Sequence, residues 1–126
     1  RMVDTTEGIR IDLVDDADFS MFALGTTVLT SDARELLDLI GEAVAPEKGE
    51  VIVRGHTDAL KYRDTTRVNN WSLSAGRAEA TRQALMRQGV ADGRFRRIEG
   101  VADTEPLIKD DPTDPRNRRI SIVIAD

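Results

Sequence analysis

The segment GIRIDLV, residues 8–14, alternates Ile9, Ile11 and Leu13 against Arg10 and Asp12, the period-two pattern of a half-buried strand. The stretch DDADFSMFALGTTVLT follows as a loop whose Phe19 and Phe22 are expected to plug the core. Leu36, Leu37, Ile40, Ala43 and Val44 then recur at helical spacing. Asp32 with Glu35 three residues on predicts a capping box for that helix, and Pro46 to Gly49 its end. EVIVRG, residues 50–55, is short and β-branched and predicts the next strand. The polar loop HTDALKYRDTTRVNN leads to a second helix predicted from Trp71 to Gln88, with Gly89 placed where a helix-ending residue of positive φ belongs. RFRRIEGV predicts another strand, and RRISIVIA a last one that turns Ile120, Ile122 and Ile124 to one face.

The order is β-α-β-α-β-β. Strands joined through helices need crossover connections, so EVIVRG and RFRRIEGV are expected to be parallel neighbours. The fold class that results is a two-layer α/β (α+β) sandwich with the helices on one face of a mixed sheet. At 126 residues the chain is read as a single domain, 1–126, with residues 1–7 a linker remnant.

Composition narrows the function classes. With 40% hydrophobic and 33% charged residues the chain has the make-up of an ordinary globular domain. No apolar run approaches the ~20 residues that cross a bilayer, and RMVDTTEGIR has no apolar centre of the signal-peptide kind. The formal charge of −5 opposes nucleic-acid binding, since GRFRR and PRNRR both lie close to acidic runs.

Candidate chemistry concentrates in VIVRGHTDAL, where an apolar strand stops at Gly55 and His56, Thr57 and Asp58 follow. A zinc site is disfavoured because His56 is the only histidine and the chain has no cysteine. The acidic run DTEPLIKDDPTD lacks the calcium-loop pattern. Catalysis is disfavoured too, because SLSAG lacks the first glycine of a nucleophile elbow and no second histidine exists to act as base. A charged ligand suits the residues better. Asp58 follows a strand's carboxyl end, and Arg77 lies near the start of the helix fed by that connection, bordering the crevice where α/β sheets hold ligands. Asp58 would take an ammonium, and Arg77, aided by the helix N-terminus, a carboxylate. The spacing leaves this clamp and a mutual Asp58–Arg77 ion pair both open.

GHTD, then NNWSLSAGRA, then NRRISIVI resemble, in order, the OmpA-like peptidoglycan-binding domain family from residue 8 to the C-terminus. NW before SLS, the long loop with Tyr62, PL followed by DPTDPRNRRISI, and EGIRIDL with MFALGTTVLT upstream are similar to the flagellar stator members of that family. The resemblance implies noncatalytic, cofactor-free binding of the diaminopimelate residue of the peptidoglycan stem peptide, anchoring a motor stator to the wall from the periplasm. It places the family's acid on Asp58 and its arginine on Arg77. Asn70 would brace the loop or touch the ligand, Thr57 and Leu73 would line the pocket, and Arg118 would support the site. It further implies a homodimer, a partner membrane stator subunit and an inner-membrane helix outside this sequence. His56 is then expected to order the loop. Trp71 is expected to be a core anchor rather than, like Tyr62, a sugar platform. Gly76 departs from the family, which carries a better helix former there. The alternatives are an outer-membrane or secretion-system anchor of the same family, or a protein-interaction module in which Asp58 and Arg77 form a structural pair.

Overall fold

The computed structural model describes residues 2–60 and 69–125. Seven main elements are present among the described residues: β1 (Met2–Thr5), β2 (Gly8–Val14), α1 (Ser31–Val44), β3 (Val51–His56), α2 (Asn70–Arg87), β4 (Phe95–Gly100) and β5 (Arg119–Ala125). The sheet order is β1-β2-β5-β3-β4. Strands β3 and β4 are parallel, as their crossover through α2 requires, and the other pairs are antiparallel. Pairing β2 and β3 on either side of β5 makes β2, β3 and β4 finish at one end of the sheet, where β5 begins.

Alternation decides the layers. Ile120 and Ile122 of β5, Val51 and Val53 of β3 and Leu13 of β2 face the helices and form the core with Leu37 and Leu85. Phe22 is buried there and Phe19 packs against it, as expected of the loop they share. The other face of the sheet carries polar side chains, among them the buried Asp12, Ser121 and His56.

Several details differ from the sequence reading. Residues 1–7 are not all linker, because Met2–Thr5 pair with β2 as an edge strand through a turn closed by Thr5 Oγ1 donating to Gly8 O at 2.8 Å. Four residues with two apolar side chains are too short a pattern to register as a strand. Helix α1 is capped by Thr30 rather than by Asp32 and Glu35. Its hydroxyl accepts from Ala33 N at 3.1 Å and donates to Ser20 O at 2.6 Å, so one side chain closes the helix and fastens the preceding loop. Arg94, from the turn before β4, finishes the other end of α1 by donating to Val44 O at 2.6 Å and, through Nη2, to Gly49 O at 2.7 Å. Helix α2 starts at Asn70, with Asn69 and Ser72 forming a reciprocal capping box, and ends before Gly89 at φ +103° as expected.

The N-terminal turns of α2 lie directly on the sheet. A Cβ on Gly55 would sit 2.1 Å from Ser74 O, and one on Gly100 2.4 Å from Ala75 N. Ser74 is fully buried, and its hydroxyl donates to Trp71 O and accepts from Ala102 N, both at 3.0 Å. Gly55→Ala is therefore expected to destabilise the fold by about 3 kcal/mol or more through backbone overpacking, read as a lower urea midpoint. An unchanged midpoint would show that helix and strand can separate at no cost.

Candidate functional site

Where β2, β3 and β4 end and β5 begins, the chain gathers two acids and two arginines. Thr57 leaves β3 with its N–H on Ala102 O at 2.9 Å, which aims the next residue into the end of the sheet. Asp58 Oδ1 accepts from Leu60 N at 3.0 Å, a local turn that fixes the carboxylate. Asp58 Oδ2 accepts from Arg118 Nη1 at 2.8 Å. Arg118 also donates through Nε to Asp15 Oδ2 at 3.0 Å, and Asp15 Oδ1 accepts from Met21 N at 2.9 Å. The result is a row, Asp15–Arg118–Asp58, in which one guanidinium joins two carboxylates from the ends of β2 and β3. Both acids hold the Arg118 pKa above its ordinary value against the opposing effect of burial.

Arg77 reaches the same place from α2. Its Nε donates to Thr26 O at 2.8 Å, and its guanidinium carbon lies 5.0 Å from the centre of the Phe22 ring. Asp58 and Arg77 are each only 5% exposed. A small cavity of about 10 Å³, room for one water, is lined by Asp15, Phe22, His56, Arg77, Arg118 and Arg119 among others, and so connects Arg77 to the Asp15–Arg118 part of the row, while Asp58 lies outside its lining. Among the described residues, the row and Arg77 bring together two carboxylates and two guanidiniums, and Arg119 also lines the cavity.

The other expected residues fall around this group. Asn70 braces the loop, donating through Nδ2 to Asp58 O at 3.3 Å and Leu60 O at 3.1 Å. Thr57 and Leu73 are buried nearby, and neither lines the small cavity. Among the described residues, the Thr57 hydroxyl has no hydrogen-bond partner. Trp71 is not the expected core anchor. It is 58% exposed on the first turn of α2, because the helix turns Leu73, Ser74 and Arg77 inward instead. Tyr62 lies outside the described residues. Among the described residues, no three His, Cys, Asp or Glu side chains are grouped as a metal would need.

Asp15 was missed in the sequence. Antiparallel pairing of Val14 with Arg119 brings Asp15 opposite Arg118, with Asp15 N donating to Arg118 O at 3.0 Å. The signal was the β2–β5 register, which a pattern of separate strands does not contain.

His56 belongs to the sheet rather than to the loop. Its Nε2 is 3.4 Å from Ser121 Oγ, which donates to Asp12 Oδ1 at 2.7 Å. Asp12 also pairs with Arg10 at 3.2 Å and Arg119 at 3.4 Å. Burial first, and then the charge of Arg119 and Arg54, depress the His56 pKa from 6.5 to about 3, so the ring is neutral at physiological pH.

Residues 21–119, from the loop that holds Phe22 to the first residue of β5, match the OmpA family, and the chain belongs to that family. It is similar to Motility protein B of Escherichia coli (strain K12), with 34% identity over 119 residues that make up 94% of this chain and 39% of that protein. It thus spans about two-fifths of the relative's length. A putative flagellar export/assembly protein, LafU, of Escherichia coli O44:H18 is 30% identical over 94% of the chain and 38% of its own length. Among solved structures, the cell wall anchor of the T6SS from Pseudomonas aeruginosa superposes with a TM-score of 0.82 and 29% identity, covering 100% of this chain and 87% of that one. The periplasmic domain of Helicobacter pylori MotB gives a TM-score of 0.84 at 18% identity, over 99% and 87% of the two chains, and shares the fold.

The buried histidine gives a pH test with its sign determined. Its folded pKa of about 3 lies below the unfolded value of 6.5, so its contribution is complete above pH 6.5 and shrinks as the unfolded chain takes up a proton at lower pH. Because it is the only histidine, unfolding free energy is expected to drop by about 1–2 kcal/mol between pH 6.5 and 5, ahead of most carboxylate titration. His56→Gln should flatten that slope in urea titrations at the two pH values. An equal slope in both proteins would contradict the assignment.

Proposed function

We propose that this domain binds peptidoglycan without catalysis and anchors a flagellar motor stator to the cell wall, through the diaminopimelate residue of the stem peptide. The observation that carries this reading is the charged group at the strand ends, with Asp58 held by Arg118 and Arg77 held by Thr26. Diaminopimelate that is not cross-linked ends in an ammonium and a carboxylate on one carbon. Asp58 would take the ammonium while Arg118 balances its charge, and Arg77 would present parallel donors to the carboxylate. Asn70 keeps the Asp58 backbone in place, and the buried Thr57 and Leu73 would line the pocket.

Membership of the OmpA family and similarity to Motility protein B support the wall-anchoring part and the motor assignment. In that setting the domain works in the periplasm, as a homodimer. A membrane stator subunit is its partner, and an inner-membrane helix of the longer protein carries it. Similarity to a T6SS cell wall anchor favours a second host, a secretion system, for the same binding chemistry.

Two or three charge-assisted hydrogen bonds of about 1.5–3 kcal/mol each, offset by association entropy, correspond to affinities from about millimolar to tens of micromolar. Two sites facing a polymeric wall raise the effective concentration and make the attachment firm. Retention on purified sacculi is the test, with diaminopimelate-type and lysine-type walls compared side by side. Lysine lacks the far carboxylate, so retention should fall on that wall. It should also fall for Asp58→Ala and Arg77→Ala, each checked by circular dichroism for folding. Equal retention of all proteins on both walls would overturn the clamp and point to the glycan or a protein partner.

A further inference from the structure

The loop between Phe22 and Leu29 closes on itself as a small hairpin. Phe22 and Leu29 form an antiparallel bridge, Ala23 N donates to Val28 O at 2.9 Å, and Thr26 N donates to Ala23 O at 3.0 Å. The Thr26 hydroxyl reinforces it, donating to Ala23 O at 2.8 Å and accepting from Val28 N at 3.1 Å. Gly25, at φ +71°, takes the left-handed position that the tip requires.

This hairpin meets α2 at three points, all around Arg77. The Phe22 ring lies under the guanidinium, Thr26 O accepts from Arg77 Nε, and Thr27 lies against Gly76. A Cβ on Gly76 would stand 2.8 Å from Thr27 Cγ2, closer than two carbons can approach. Thr27 is exposed, and of its other two staggered rotamers one would put the hydroxyl in place of the methyl while the other would clear the contact, so an added Cβ forces Thr27 out of the rotamer it holds. Glycine inside a helix costs about 1 kcal/mol relative to alanine, so local propensity opposes it at this position.

We propose that Gly76 is a positioning residue for the ligand-holding arginine. Its missing side chain lets the hairpin tip approach α2 closely enough for the Thr26 carbonyl to fix the plane of the Arg77 guanidinium. The proposal deepens the reading of Arg77 as the carboxylate-binding group and rests on it. A guanidinium fixed at Nε meets a carboxylate with its donors already aligned, where an untethered one would have to be ordered on binding. Specificity for a planar, bidentate anion then depends on a residue that touches no ligand.

Gly76→Ala, alone and combined with Thr27→Ser, separates this role from a general effect on the helix. Serine removes the methyl that the new Cβ would strike. Two readouts are used: solvent exchange of the Arg77 Nε–H followed by NMR without ligand, and retention on diaminopimelate-type sacculi. In Gly76→Ala the exchange should quicken about tenfold and retention should weaken roughly fivefold, while thermal stability stays level or rises. The double variant should recover both. Unchanged exchange and retention in Gly76→Ala would overturn the proposal. So would a loss that Thr27→Ser fails to restore. If wild type itself is not retained on sacculi while the exchange pattern holds, the wall-binding reading fails and the positioning of Arg77 by Gly76 stands.

Discussion

The arrangement depends on one close contact, the approach of the first turns of α2 to the ends of β3 and β4 at Gly55 and Gly100. Backbone meets backbone there, with only the Ser74 hydroxyl beside Gly100, so the distance between layers is set chiefly by main-chain van der Waals radii. Ser74 locks the contact from the helix side by accepting the N–H of Ala102, a residue at φ +53° just beyond β4. With that spacing fixed, Arg77 is carried to the strand ends one turn further along α2. A wider gap between helix and sheet would lift it away from the row that holds Asp58.

Charge placement follows from the same geometry. Three strands finish and one begins at this end of the sheet, so acids that follow β2 and β3 face an arginine that precedes β5. Arg118 can therefore serve Asp15 and Asp58 at once, and each acid keeps the cation from being buried alone. On the sheet face away from the helices, Asp12 performs the converse service for Arg10 and Arg119, while His56 beside them avoids the cost of burial by remaining neutral. The two networks meet at Arg118, just before β5, and Arg119, its first residue, which explains why a doubled arginine stands there.

What the sequence revealed corresponds to what is periodic or contiguous. Strands β2, β3 and β5 and both helices have patterns long enough to be read, and the parallel pairing of β3 with β4 follows from the intervening helix. Asp58 and Arg77 were visible because each sits in a short run of characteristic residues. Asp15 was not, since its meaning depends on a strand register more than a hundred residues away. Nor was the edge strand β1, which is too short to show alternation, or the capping role of Thr30, which competes with acids just inside the helix. Trp71 was misjudged because size and apolarity favour burial on average, whereas its angular position on α2 is set by the three side chains that must face inward.

The direction of the strands has a mechanical consequence. Hydrogen bonds between strands lie across the strand axis, so tension applied at the crevice and resisted at the opposite end of the sheet runs at right angles to them. Strand β5 is flanked by β2 through seven residue pairs and by β3 through six. Such a pull loads these rows in shear, and they must slip together rather than peel open one by one. Under the proposed wall binding, the few contacts to the ligand would part long before the sheet did, and the fold would survive each detachment.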